Sequence, residues 1–313
     1  MGILQPQKNI ALAAHIISKL NLQYSHIQRF PTGYCHSVYL VITSSDRYVL
    51  RISDLDAKPY YEGSVFWLPQ MDGLGLPVPK IIQHGKIDEN FYTMLTHIPG
   101  QDLGIVYAAL SSAEKKAIAS RLADYQACVS TLPPQNYYGY SLGEHDSCWQ
   151  DVIVRLITRA KNRIVENNIF SSGYTDTLLS RMKLFTKYFD KVCPTPFLDD
   201  ITTKNVLIHN GQLSGIVDID EICCGDPFLT LGLTHMALLL NGEKTDYIQY
   251  WLTAARATQE QKYCELFYAL VFCVDFMGEQ GMSFANGVQV KLNEKKIAQL
   301  ESIYHQLSIM LTS

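Results

Sequence analysis

The sequence predicts an α+β protein in two parts, a first hundred residues built on antiparallel strands and a longer remainder built on helices. Three observations carry this. Segments rich in β-branched and aromatic residues crowd positions 25–98, helical periodicity dominates from Ser111 onward, and one strand-like island interrupts the helices near positions 196–227.

The elements follow in order. In KNIALAAHIISKL (8–20), Ile10, Ala13, Ala14, Ile17 and Leu20 fall on one helical face. SHIQRF, SVYLVIT and RYVLRI then read as strands, the last two joined by a turn at Ser44, Ser45 and Asp46. Positions 59–71 suit a helix opening at Pro59, although Gly63 and Pro69 disfavour it, and LPVPKIIQHG and FYTMLTHI supply two further strands. Pro99-Gly100 reads as a connector, and Ser111-Ser112-Ala113-Glu114 as a capping box ahead of KKAIASRLADYQACVS. Helical patterns recur at 147–167, 175–190, 228–240, 244–256, 259–279 and 292–311. Inside the island, NVLIH and QLSGIVD flank Asn210-Gly211, a strong two-residue hairpin signal. Two domains are expected, 1–97 and 98–313.

Composition excludes several classes. Of 313 residues, 47% are hydrophobic and 18% charged, enough for a substantial core. With 26 Lys+Arg against 30 Asp+Glu the formal charge is −4, so nothing favours nucleic acid or an anionic membrane as partner. No apolar run approaches the roughly 20 residues that a membrane span needs. MGILQPQKNIALAAHII lacks the pattern of a secretory signal, and a cytoplasmic protein is expected. The eight cysteines show no C-x-x-C spacing and read as reduced core residues. Neither H-x-x-x-H nor G-x-x-x-x-G-K-[ST] occurs, which removes zinc-protease and P-loop readings.

Chemistry concentrates in the island. Asp199, Asp200, Asp218 and Asp220 flank a hairpin so short that its two ends must meet at one edge, and such a cluster repels itself unless a cation neutralises it. Asn205 adds an amide oxygen at the head of the first strand, so Asn205 and Asp218 can offer hard oxygen ligands to Mg²⁺. The spacing is D-x-x-x-x-N from Asp200 to Asn205, with Asp218 13 residues further on and Gly225-Asp226-Pro227 beyond it. FLDDITTKNVLIHNGQLSGIVDIDEICCGDP resembles the active-site segment of the aminoglycoside phosphotransferase and choline kinase-like family of small-molecule kinases.

That resemblance implies a protein kinase-like two-lobed fold with a small antiparallel β N-lobe and a larger helical C-lobe. It also implies an enzyme that transfers a phosphoryl group from ATP or GTP, with Mg²⁺, to a hydroxyl of a small molecule. An aminoglycoside-type amino sugar is the nominal acceptor. A choline, homoserine or sugar kinase is the alternative within the family, and a nucleotide-binding pseudokinase that regulates a partner protein the alternative outside it. By position, Asp200 corresponds to the catalytic-loop Asp that orients the acceptor hydroxyl and takes its proton, Asn205 and Asp218 to the two metal ligands, and Asp226 to a helix-capping turn residue. On the nucleotide side, Gly33 stands in the phosphate-covering loop RFPTGYCHSVYLV, a stretch that otherwise reads as an ordinary hairpin turn. Arg51 takes the place of the phosphate-holding cation, and Glu62 is either its ion-pair partner or a surface residue. Thr96 and Ile98 fall where main-chain groups meet the base. Leu198 and Asp199 replace the family's His and Gly, and Lys204 stands where relatives often carry Gly, reaching either the γ-phosphate or solvent. On the helix 259–279, Asp275 and Glu279 lie four apart beside Phe272 and Phe276. They either bind a cationic acceptor through charge and aromatic faces or surface into solvent.

Overall fold

The computed structural model describes residues 6–30, 36–282 and 292–311. Helix α1 (Pro6–Lys19) leads into strands β1 (His26–Arg29), β2 (Ser37–Ile42) and β3 (Arg47–Ser53), then helix α2 (Lys58–Gly73) and strands β4 (Ile81–Ile87) and β5 (Asn90–Thr96). The five strands form one antiparallel sheet in the order β1-β2-β3-β5-β4. Alternation along β2 sends Tyr39 and Val41 into a small core, where they meet Leu50, Ile52, Tyr92, Met94 and, from α1, Ala13, Ile16 and Ile17. The buried face of α1 is therefore turned from the one predicted. Ile10 is 41% exposed and Ile16 takes its place in the core. Helix α2 runs unbroken through Gly63 and Pro69, because Leu68 and Met71, packed with Leu95 in the main core, outweigh local propensity.

The rest is mainly helical. Strand β6 (Gln101–Asp102) opens into α3 (Leu103–Val106) and α4 (Ser112–Val129), followed by β7 (Gly139–Tyr140), α5 (Trp149–Asn167), α6 (Gly173–Met182) and α7 (Thr186–Phe189). Next come β8 (Pro196–Phe197), β9 (Val206–His209), β10 (Gln212–Ile216) and β11 (Cys223–Cys224), then α8 (Phe228–Leu240), α9 (Asp246–Ala254), α10 (Gln259–Gly278) and α11 (Glu294–Met310). The capping box forms as read: Ser111 Oγ accepts from the Glu114 N–H, and Glu114 Oε2 from the Ser111 N–H. The single helix expected over 175–190 is instead α6 and α7, divided by a 3-10 turn at Lys183–Phe185. Strands β6, β7, β8 and β11 are two residues each, too short to leave a periodic signal.

Among these elements α10 is the buried axis, packed against α5, α8 and α11. It crosses α8 so closely that a Cβ on Gly232 would stand 2.5 Å from the Tyr268 Cβ. The whole is the two-lobed, protein kinase-like α+β fold that the sequence leads one to expect. No helix among the described residues is long and apolar enough to cross a membrane. Gly232→Ala is expected to force α8 and α10 apart at a cost of about 1–3 kcal/mol, read as a lower urea midpoint with an unchanged slope. A wild-type midpoint would contradict the close crossing.

Candidate active site

The hairpin β9–β10 builds the site. Its turn, Asn210-Gly211, has φ of 51° and 73°, the doubly positive geometry that a two-residue turn between right-twisted strands requires. Beyond Ile216, which pairs with Val206, the Val217 N–H donates to the Asn205 carbonyl at 2.9 Å, so Asn205 and Asp218 stand at the open end of the hairpin. Asp218 adopts φ 64°, a left-handed conformation that Asp tolerates better than most residues. Asn205 Nδ2 donates to the Asp200 carbonyl at 3.0 Å, which turns the amide oxygen away and leaves it for a cation. Thr202 Oγ1 donates to Asp200 Oδ1 at 2.8 Å and orients the carboxylate of that exposed residue.

Two residues that sequence reasoning missed support this loop. Gln126 of α4, buried, donates to the Leu198 carbonyl at 2.8 Å and accepts from the Leu198 N–H at 2.9 Å. It thus pins the position where relatives carry His. Thr230 of α8 donates to the Asp199 carbonyl at 2.7 Å. One turn earlier, Asp226 is structural as expected: Oδ1 accepts from the Phe228 N–H at 3.0 Å, and Oδ2 from the Tyr188 and Tyr268 hydroxyls at 2.6 and 2.8 Å.

Arg51, 6% exposed, reaches the hairpin end from β3. Its Nη2 donates to Asp220 Oδ2 at 2.6 Å and to Asp218 Oδ1 at 3.0 Å. Asp220 Oδ2 also lies 2.8 Å from His36 Nε2, and His36 Nδ1 lies 2.7 Å from Ser53 Oγ. Burial opposes ionisation of Asp220, yet the Arg51 guanidinium and the His36 hydrogen bond outweigh it and hold the carboxyl at about 2. Its other oxygen, Oδ1, is buried without a hydrogen-bond partner. Nearby, burial pushes Asp199 well above the usual carboxylate range, with Glu221 and Asp200 adding to it. Burial also lifts Glu221 to about 7, the Leu142 N–H opposing and Asp220 and Asp200 reinforcing.

The donor set fits Mg²⁺. An amide oxygen on Asn205 and a carboxylate on Asp218 whose side chain is 55% exposed are hard oxygens, and the one Arg51 guanidinium is shared between Asp218 and Asp220. No group of three or more His, Cys, Asp or Glu among the described residues is arranged to hold a metal ion by itself.

Other predicted residues lie differently. Glu62 pairs with Lys58 at 3.2 Å on the exposed side of α2, and the expected Arg51–Glu62 pair does not form. The reason is rotational: α2 presents Gly63 to the site, where a Cβ would lie 1.9 Å from the Asp220 carbonyl oxygen, and Glu62 points about 100° away around the helix. Asp275 is not an open carboxylate for a cationic acceptor, because Arg159 at 3.1 Å and Arg163 at 3.1 Å, both on α5, neutralise it in the interior. Glu279 caps the end of α10, where burial, reinforced by Asp275, raises its carboxyl. Lys204 is exposed. The Thr96 N–H donates to the Lys80 carbonyl and its hydroxyl accepts from the Lys80 N–H, both at 2.9 Å, which leaves only its carbonyl for a base. Ile98 packs over Gly215, where a Cβ would come within 2.8 Å of it. Gly33 lies outside the described residues.

The kinase-like fold thus gathers Asp200, Asn205 and Asp218 opposite a buried arginine. Comparison with known proteins supports that fold. The family model described as "Phosphotransferase enzyme family" matches residues 26–149. No curated protein matches by sequence. Among solved structures, the chain is similar to a thermostable mutant of aminoglycoside phosphotransferase APH(4)-Ia in ternary complex with AMP-PNP and hygromycin B, with 15% identity, a TM-score of 0.66, and 95% of this chain and 97% of that one covered. It is similar to ADP-bound aminoglycoside phosphotransferase APH(2'')-Ib at 13% identity and a TM-score of 0.63, covering 96% and 98% of the two chains. The gentamicin complex of APH(2'')-IIa aligns at 13% identity with a TM-score of 0.62, covering 98% and 97%. These likenesses establish the fold over nearly the whole chain.

The raised Glu221 carboxyl has a pH signature. Because its folded value, about 7, exceeds the ordinary 4.5, its ionisation destabilises the native state progressively as pH rises through that window. Glu221→Gln is expected to raise the melting temperature at pH 8 and to leave it unchanged near pH 4, as followed by circular dichroism. An equal effect at both pH values would contradict the assignment.

Proposed function

We propose that the chain transfers the γ-phosphoryl group of ATP or GTP, with Mg²⁺, to a hydroxyl of a small molecule. One observation carries this reading: the exposed Asp200, its carboxylate oriented by Thr202, shares the end of one hairpin with Asn205, Asp218 and the buried Arg51. The acceptor hydroxyl gives its proton to Asp200 as its oxygen bonds to the γ-phosphorus and the bond to the β-phosphate oxygen breaks. Asn205 and Asp218 would hold Mg²⁺, which supplies charge neutralisation at the phosphate oxygens when bound. Arg51 binds the α- and β-phosphates, and the Thr96 carbonyl and Ile98 N–H meet the edge of the base. The two lobes divide at residues 97 and 98.

An acceptor bearing amino groups, of the aminoglycoside type, fits best. Asp199 and Glu221 are acidic residues near Asp200 whose ionisation is opposed chiefly by burial, and a cationic group seated there would favour their charged forms. The hygromycin B and gentamicin complexes of structurally similar proteins support this choice. The test is Mg²⁺-dependent consumption of ATP and of GTP against aminoglycosides, choline, homoserine and sugars. Asp200→Asn is expected to lose about 10²- to 10⁴-fold in turnover while its nucleotide affinity stays within about threefold of wild type. Undiminished turnover in that variant would overturn the assignment of the base.

A further inference from the structure

We infer that Asp220, supported by His36, is the anchor that aims Arg51 at the nucleotide phosphates, so that Asp220 and His36 are positioning residues of the transfer site. The inference rests on the phosphotransfer reading and gives these two residues the role that the sequence resemblance assigns to Glu62.

The two carboxylate partners of Arg51 are unequal. Asp218 holds it at 3.0 Å from a side chain that is 55% exposed, whereas Asp220 holds it at 2.6 Å from one that is 11% exposed. One guanidinium thus faces two carboxylates. A cation arriving at Asp218 therefore displaces Arg51 from that partner at little cost, while Asp220 retains it. Removing Asp220 would instead leave a buried guanidinium without its main counter-charge, the costly case for an interior ion pair.

Asp220 is itself fixed from three sides. His36 Nε2 contacts the same Oδ2 that receives Arg51, and His36 Nδ1 is held by the Ser53 hydroxyl. Strand register explains the fit. Ser37 pairs with Ile52, so His36 stands opposite Ser53, and Ser53 lies two residues beyond Arg51 on the same face of β3. The ring Arg51–Asp220–His36–Ser53 thus closes through the strand that carries its first and last members, and all four are buried. From the third side α2 presses Gly63 onto the Asp220 main chain. Glu62 has no place in this ring, being paired with Lys58 in solvent.

The test uses the full chain and a fluorescent ADP analogue titrated in Mg²⁺, with thermal melts on every variant. Asp220→Asn is expected to weaken nucleotide binding by about tenfold or more, and His36→Ala by about three- to tenfold. His36→Gln, which retains an amide donor toward Asp220, is expected to recover part of that loss. Where turnover is measurable, the effect falls on the nucleotide KM and leaves the acceptor KM unchanged, a split that general destabilisation does not produce. Glu62→Ala is expected to bind within about twofold of wild type. Loss in Glu62→Ala equal to that in Asp220→Asn, or wild-type binding in both Asp220→Asn and His36→Ala, would overturn the inference. Should Asp220→Asn fail to fold, the two His36 variants decide it alone. Absence of Mg-nucleotide binding in the wild type sinks the phosphotransfer reading and this inference with it, whereas binding in the wild type with an inert ring sinks only the inference.

Discussion

The structure turns on a guanidinium shared by two carboxylates across the lobe boundary. Arg51 comes from the third strand of the small lobe, and Asp218 and Asp220 from the segment after the hairpin, 167 and 169 positions away. A buried arginine is tolerated only where its charge is met and its donors are used. The surrounding elements supply that condition. β3 brings Arg51 and Ser53 to one face, β2 delivers His36 beside them, and a glycine in α2 lets the helix close onto the Asp220 main chain. Take away the close approach at Gly63 and the small lobe cannot sit where its arginine reaches the carboxylates.

Below this point the large lobe acts as a rigid platform. Gln126 fixes both main-chain groups of Leu198, Thr230 fixes the Asp199 carbonyl, and Asn205 fixes that of Asp200, so three consecutive residues of the loop before the hairpin are tied to different parts of the chain. Deeper still, Asp226 collects two tyrosine hydroxyls and a helix N–H, and Trp149 Nε1 donates to one of those tyrosines at 2.7 Å. Such layered support is what holds reacting groups in place without using them in the chemistry.

What could be read from the sequence divides along physical lines. The hairpin, its Asn-Gly turn, the D-x-x-x-x-N spacing and the capping box are local patterns, and each appears where its residues predict. The division into a β-rich and a helical part followed from strand and helix periodicity, and the kinase-like fold from the resemblance of the hairpin segment. The pairings that decide the electrostatics were not legible, because they join residues far apart in the chain. His36 meets Asp220 across 184 positions, and Arg159 meets Asp275 across 116, so no spacing rule marks either pair. Glu62 misled for a related reason: spacing placed it on the correct helix, but only the crossing of α2 over Asp220 decides which residue of that helix faces the site. Asp275 misled in the same way, because only the packing of α5 against α10 decides that Arg159 and Arg163 neutralise it.

In the proposed reaction Arg51 is the resident counter-charge of a site that a magnesium-bound nucleotide completes. The most direct measurement is calorimetric titration of ADP, with and without Mg²⁺, into the wild-type chain and into Asp218→Asn. The account predicts that Mg²⁺ tightens binding by about tenfold or more in the wild type and does nothing in the variant. Equal affinity with and without Mg²⁺ in the wild type would contradict it.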